Sequence, residues 1–202
     1  MHKNFKLIIL ILVSALLLIS CYLTRNTKTE LVYKELSKND TYLLNVTGNK
    51  VLMYDLKNLP KDKNYEITFM YEVYKNTEKI KEQIITGMLK DSTCEKVEND
   101  NEIIVMNLQE NKIKSLLGND KNNSYSSGEC SIDENLFKYS FKYLTNNIDL
   151  SLGTEVYLFH ATSSSSTRNF LQLGTHINQD ELNDVLNENE ENIFIKLIYK
   201  EV

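Results

Sequence analysis

The sequence predicts an all-β fold, an antiparallel β-sandwich of roughly ten strands with one short helix near the C-terminus. Apolar and polar residues alternate with a period of two along most of the chain after residue 31. Asn-rich turns separate these runs, and Asn tolerates the left-handed backbone conformation that tight turns need. Only one stretch shows helical spacing, so the sheet content is expected to dominate.

The first twenty residues form an apolar segment with a basic start. Lys3 and Lys6 precede the run 7–19, in which Ser14 is the one polar residue. A charged start, an apolar stretch of this length and a small residue at its end are typical of a secretory signal peptide. Residues 1–20 are therefore predicted to be a signal peptide, with an uncleaved membrane anchor as the alternative.

The residues that end this segment, Leu18-Ile19-Ser20-Cys21, resemble the lipobox of bacterial lipoproteins. The resemblance covers these four residues and the signal before them, and no family is recognised for the rest of the chain. It implies that the Cys21 thiol is lipidated and that cleavage makes Cys21 the first residue. The implied location is the extracytoplasmic face of the cell membrane. The abundance of Asn, Lys, Ile and Tyr resembles the composition of low-GC bacteria, which are often Gram-positive.

The remaining chain divides into a tether and one domain. Residues 21–30 predict a lipidated Cys with a short polar tether, and residues 31–202 predict a single domain. The chain has a net charge of −5, and removing Lys3 and Lys6 with no acid leaves −7. This acidity argues against a nucleic-acid partner. The expected partners are the membrane, held through the lipid, and a protein or cell-wall component.

Alternation predicts the strands of the domain. Residues 65–74 place Tyr65 and Phe69 on one face and Glu66 and Glu72 on the other. Residues 119–127 are polar and predict a loop. The predicted strands are 42–46, 51–56, 65–74, 79–87, 103–108, 112–117, 137–143, 148–152, 154–161 and 193–199.

One helix is predicted, over residues 178–187. Asn178 can cap its first turn, and Glu181 follows three residues later, as in a capping box. Leu182 and Val185 lie on one helical face, so this face is expected to pack on the sheet.

Two cysteines, Cys94 and Cys130, remain after Cys21. Exported domains commonly pair their cysteines, which predicts a disulfide between them, and two free buried thiols are the alternative. The sequence has no CxxC or HxxxH spacing of a zinc site. We therefore expect no metal and no cofactor.

His160 is the first candidate for chemistry. It is in phase with Val156 and Leu158, which predicts that it faces the interior as a structural residue. Serines 163–166 follow it, but no GxSxG motif accompanies them, so a mobile loop is favoured over a hydrolase site.

Carboxylates and aromatic residues supply the other candidates. Glu66 and Glu72 would lie roughly 20 Å apart on one strand, beyond the about 5–9.5 Å that glycosidase carboxylates need. The aromatic stripe over residues 137–143 fits a sandwich core better than a sugar-binding platform.

The sequence therefore predicts a membrane-anchored lipoprotein with a non-catalytic interaction or ligand-binding β domain. Two alternatives remain open, an exported hydrolase with a carboxylate-based site and a lipoprotein that inhibits a partner or gives immunity to it. Binding is expected to involve the loops 119–127 and 163–168.

Overall fold

The computed structural model describes residues 28–91, 101–119, 124–133, 135–163 and 170–202. Within these residues it confirms the all-β sandwich, with eleven strands in two antiparallel sheets. The first sheet has the order β7-β6-β5-β2-β1-β9, and the second has the order β4-β3-β11-β10-β8.

The elements follow the predicted strands closely along most of the chain. In chain order they are β1 Thr29–Lys34, α1 Lys38–Val46, β2 Lys50–Lys57, β3 Tyr65–Lys75, β4 Glu78–Lys90, β5 Glu102–Gln109, β6 Lys112–Asn119, β7 Ser124–Ser131, a 3₁₀ turn Leu136–Lys138, β8 Ser140–Tyr143, β9 Ile148–Leu150, β10 Thr154–Thr162, α2 Gln179–Glu188 and β11 Glu191–Glu201.

The inner core lies between the two sheets and is built from the apolar positions of the alternating strands. Tyr54 from the first sheet and Phe69 and Leu197 from the second are fully buried there. Consecutive side chains of a strand point to opposite faces, so the period-two pattern fills this core directly. The prediction that Tyr65 and Phe69 face inward is confirmed.

The two sheets approach each other closely along one side, where β7 meets β4. A Cβ atom at Gly128 would overlap the carbonyl oxygen of Ile85, so the close approach needs a glycine there. The Ser126 hydroxyl donates to the carbonyl oxygen of Gly87 at 2.8 Å and lies 3.2 Å from the Thr86 hydroxyl. This side of the sandwich is thereby closed.

A second, smaller core covers the outer face of the five-stranded sheet. The predicted helix is confirmed as α2, which begins after its cap Asn178 and buries Leu182, Val185 and Leu186. These side chains cluster with Phe194 of β11. The outer face of this sheet is therefore not open to solvent at its centre.

The prediction of a strand over residues 42–46 is wrong, because these residues belong to helix α1. Ser37 caps the helix, accepting a hydrogen bond from the Asp40 backbone N–H at 3.2 Å. A capping residue followed by an acid three positions on is a helix signal that outweighs the short apolar run. None of the residues of α1 is buried.

Two further predictions are corrected at the edges of the sheets. Residues 124–127, predicted as loop, belong to β7, a mostly exposed strand at the edge of the sheet that pairs there with residues 116–119 of β6. The predicted strand 137–143 is split, with Phe137 in the 3₁₀ turn and 38% exposed. Asn135 caps this turn by accepting from the Phe137 N–H.

The range predicted as a tether, residues 21–30, overlaps the sandwich at its C-terminal end, while residues 21–27 lie outside the described residues. β1 begins at Thr29 and pairs with both β2 and β9, so Glu30 belongs to the sandwich. No helix among the described residues is long and apolar enough to cross a membrane.

Candidate functional site

Two cavities meet at Tyr143, on the side of the sandwich opposite the contact of β4 with β7. The edge strands here are short, since β8 has four residues and β9 has three. At this side, β8 and β9 are therefore too short to pair with the whole length of their neighbours, β10 and β1. We call the two spaces the helix cavity and the edge cavity.

The helix cavity lies beneath α1 and has a volume of about 140 Å³. Leu44 and Asn45 of α1 form its roof, and Tyr33, Lys50 and Tyr143 form its wall.

A cluster of tyrosines forms the wall of the helix cavity. The ring of Tyr33 packs edge-on against Tyr54 at 5.6 Å and lies 5.9 Å from the ring of Tyr143. Burial, followed by the neighbouring Tyr143, raises the pKa of Tyr33 to about 12. The Lys50 ammonium lies 4.8 Å from the centre of the Tyr143 ring. The Tyr33 phenol is therefore a neutral hydrogen-bonding group at neutral pH.

The edge cavity is larger, about 320 Å³, and lies between β8, the β8–β9 connection and the segment 170–173. This volume falls in the range of small-molecule sites, about 300–1,000 Å³. Its walls combine aromatic rings with amide, hydroxyl and ammonium groups. They include Tyr143, Phe170, Lys142, Thr145, Asn146 and Gln172.

One wall of the edge cavity, residues 170–173, is fixed to the sheet by hydrogen bonds. The Leu171 N–H donates to His160 Nδ1 at 3.2 Å, and the Gln172 N–H donates to Glu181 Oε1 at 2.7 Å. The Phe170 ring packs edge-on against the His160 ring at 5.3 Å. This wall is thus positioned before any ligand enters.

The opposite wall is fixed through Leu144. Its N–H donates to the Leu158 carbonyl oxygen at 2.8 Å, and its own carbonyl oxygen accepts from the buried Tyr54 hydroxyl at 2.9 Å. Tyr54 belongs to the first sheet and Leu158 to the second. The β8–β9 connection is therefore held to both sheets.

His160 is buried and structural, as predicted, but it faces the outer core rather than the space between the sheets. A bulge at Leu158, between the pairs Tyr157–Lys196 and Phe159–Ile195, shifts the phase of β10. His160 consequently stacks on Phe194 at 4.5 Å. Because Nδ1 accepts from Leu171, Nε2 carries the proton and donates to Asn192 Oδ1 at 2.9 Å. Burial lowers the pKa of His160 to about 4, so the ring is neutral at neutral pH.

Glu72 and Glu66 each form ion pairs with different lysines. Glu72 is fully buried on the outer face, and its Oε1 accepts from Lys79 at 2.8 Å and from Lys196 at 2.9 Å. Glu66 has its own partner, Lys200, at 2.8 Å. Burial disfavours the Lys196 ammonium, but the bond to Glu72 outweighs it and raises the Lys196 pKa.

The remaining predicted residues are distributed as follows. The lipobox with Cys21 and the cysteine Cys94 lie outside the described residues, so lipidation and the disulfide stay predictions. Cys130 is buried, and burial raises the pKa of its thiol to about 11. The loop prediction at 163–168 is described only at Ser163.

Within the described ranges, no group of three His, Cys, Asp or Glu side chains is placed to hold a metal ion. Sequence reasoning missed the edge cavity, whose residues come from β8, the β8–β9 connection and residues 170–173. Tyr143 was identified in the aromatic stripe. The sequence gives no sign that Lys142 and Asn146 lie near Phe170, because more than twenty residues separate Phe170 from them in the chain.

Comparison of the chain with protein-family models, with curated proteins and with solved structures finds no match. The functional interpretation of the two cavities is therefore based on the residues of this chain alone.

Proposed function

We propose that this protein is a lipoprotein anchored by Cys21 on the extracytoplasmic face of the cell membrane, with a sandwich that binds a ligand or partner without catalysing a reaction. The edge cavity is the observation that carries the binding proposal. Its walls offer aromatic and hydrogen-bonding side chains, and the backbone of both walls is already fixed. Preformed walls reduce the entropy lost on binding.

The anchor is supported by the position of the lipobox relative to the domain. Residues 22–28 separate Cys21 from the start of β1 at Thr29. Seven residues extend to at most about 25 Å. A lipidated Cys21 would thus keep the sandwich close to the bilayer and its edge cavity near membrane and wall components.

Metabolic labelling with palmitate tests the anchor. We expect the wild-type chain and a Cys130→Ala variant to incorporate label and to sediment with membranes, and we expect Cys21→Ser to do neither. Equal labelling of Cys21→Ser would contradict lipidation at this residue.

Sedimentation with purified cell-wall fragments tests the binding surface. The full chain, solubilised in detergent, is expected to bind saturably, and Tyr143→Leu at the meeting point of the cavities is expected to weaken binding. Tyr42→Leu, a change of an exposed tyrosine on α1, is the matched control. Equal binding by the wild type and Tyr143→Leu would place the binding surface elsewhere. Turnover of glycosidase, esterase or peptidase substrates that is lost on replacing one Asp, Glu or His would instead favour the hydrolase.

A further inference from the structure

We infer that the edge cavity binds an acidic sugar, with Lys142 receiving the carboxylate of the ligand. This inference rests on the proposed binding function and names its ligand class. Three features of the cavity carry it, namely an unpaired ammonium group, free amide groups beside it and an aromatic wall.

Lys142 supplies a positive charge to the edge cavity of a chain whose net charge is −5. It extends from β8 on the same face as its cross-strand partner His160, and it is exposed. Among the described residues, no carboxylate lies within 4.0 Å of its ammonium group. Most other lysines of the sheets differ, since Lys79, Lys112 and Lys200 all have carboxylate partners. No Asp or Glu is found among the described residues that line the edge cavity.

The amide groups of the cavity are available for a ligand. The side chains of Asn146 and Gln172 are exposed and make no hydrogen bond to other described residues, although the Gln172 backbone is fixed by Glu181. An amide side chain both donates and accepts, which suits the hydroxyl and acetamido groups of a sugar. The backbone of this wall is thus rigid while its side-chain hydrogen-bonding groups remain unused.

The aromatic wall suits the apolar face of a sugar ring. Phe170 is half-buried and is held by its edge-on contact with His160, and Tyr143 lies across the cavity. The C–H groups on one face of a pyranose pack against such rings. An ammonium group beside an aromatic wall therefore selects a ring that also carries a negative charge.

N-acetylglucosamine and N-acetylmuramic acid form a matched pair of probes, because the second differs from the first by an added lactyl ether with a carboxylate. Isothermal titration of the full chain in detergent is expected to show about tenfold tighter binding of the acidic sugar, the size of one charge-assisted contact. Lys142→Met should remove this preference. Lys138→Met, an exposed lysine outside the cavity, is the control.

Equal affinity for the two sugars, or a preference that survives Lys142→Met, would overturn the inference. Lactate binding as tightly as the acidic sugar would also overturn it, since the site would then recognise a small anion. If neither sugar binds while cell-wall fragments still bind in a Tyr143-dependent manner, the acidic-sugar inference fails and the proposed binding function stands.

Discussion

Strands β10 and β11 face two different cores, and the two differ in the chemistry that holds them. The inner face contributes Val156, Ile195 and Leu197 to a cluster of mainly aliphatic and aromatic side chains. The outer face contributes His160 and Lys196, both buried with specific polar partners. Apolar packing tolerates repacking, whereas a buried polar group needs its partner in place. The outer core therefore specifies the position of the 170–173 wall more strictly than apolar contact would.

Leu197→Ala tests the inner core and should have the largest effect. Leu197 is fully buried between the sheets, and removing its side chain leaves a cavity. We expect a loss of about 4 kcal/mol in the free energy of unfolding, measured by urea denaturation. Lys200→Ala, an exposed site on the same strand, should change it by less than about 0.5 kcal/mol. Equal effects at the two sites would contradict the assignment of faces on β11.

Glu72→Gln tests the buried charges of the outer core. The change leaves the ammonium groups of Lys79 and Lys196 without the negative charge that compensates them. We expect a loss of about 3 kcal/mol in the free energy of unfolding. Glu82→Gln removes an exposed partner of Lys79 and should cost less than about 1 kcal/mol. A loss for Glu72→Gln as small as that for Glu82→Gln would show that the ion cluster is solvated.

His160 makes the outer core sensitive to acid. Its pKa of about 4 in the fold lies below the ordinary value of 6.5, so the unfolded state binds the proton first as the pH falls. The contribution of neutral His160 to the free energy of unfolding is complete above about pH 6.5 and is lost as the pH falls towards 4. At pH 5 the loss should be about 2 kcal/mol.

Urea titrations at pH 7 and pH 5 measure this effect. The drop in stability between the two values should be smaller by that amount in His160→Gln than in the wild type. His176→Gln, at an exposed histidine, should retain the full drop. An identical pH dependence in wild type and His160→Gln would show that His160 does not titrate in this range.

Glu102 gives the free energy of unfolding a pH dependence of the opposite sign, from the inner face. Burial raises its pKa to about 7, against the charge of Lys90, so the fold retains a proton that the unfolded chain releases near pH 4.5. Stability due to Glu102 is therefore present below about pH 4.5 and is lost as the pH rises through 7. Glu102→Gln should be about 3 kcal/mol more stable than the wild type at pH 8 and should differ little from it at pH 4.5. A variant that is less stable at pH 8 would contradict the assignment.

The sequence predicts the inner core well because a single rule, alternation, describes it. Tyr65 and Phe69 are found on the predicted face. The outer core escapes the same rule for two reasons. First, the bulge at Leu158 turns the His160 side chain to the opposite face of the sheet. Second, the alternation pattern does not show that the face carrying Glu72 is buried.

The candidate site is predicted least. Its aromatic residue Tyr143 is recognised as part of a stripe, yet the stripe breaks at the 3₁₀ turn and only its end reaches the cavity. Lys142 and Gln172 are separated by 30 positions, and their proximity depends on the pairing of β8 with β10 and on the hydrogen bond from Leu171 to His160. Sequence spacing carries no information on such a contact.

The close approach of β7 to β4 at Gly128 also limits self-association. Open sheet edges can pair with a second chain and seed aggregation. Here two long edges face each other, and the other two belong to the short strands β8 and β9. The part of β4 that extends beyond this contact carries Lys79, Lys81 and Glu82, which discourage pairing with a neighbour. These features would disfavour edge-to-edge pairing between copies of the chain, including copies anchored side by side as proposed.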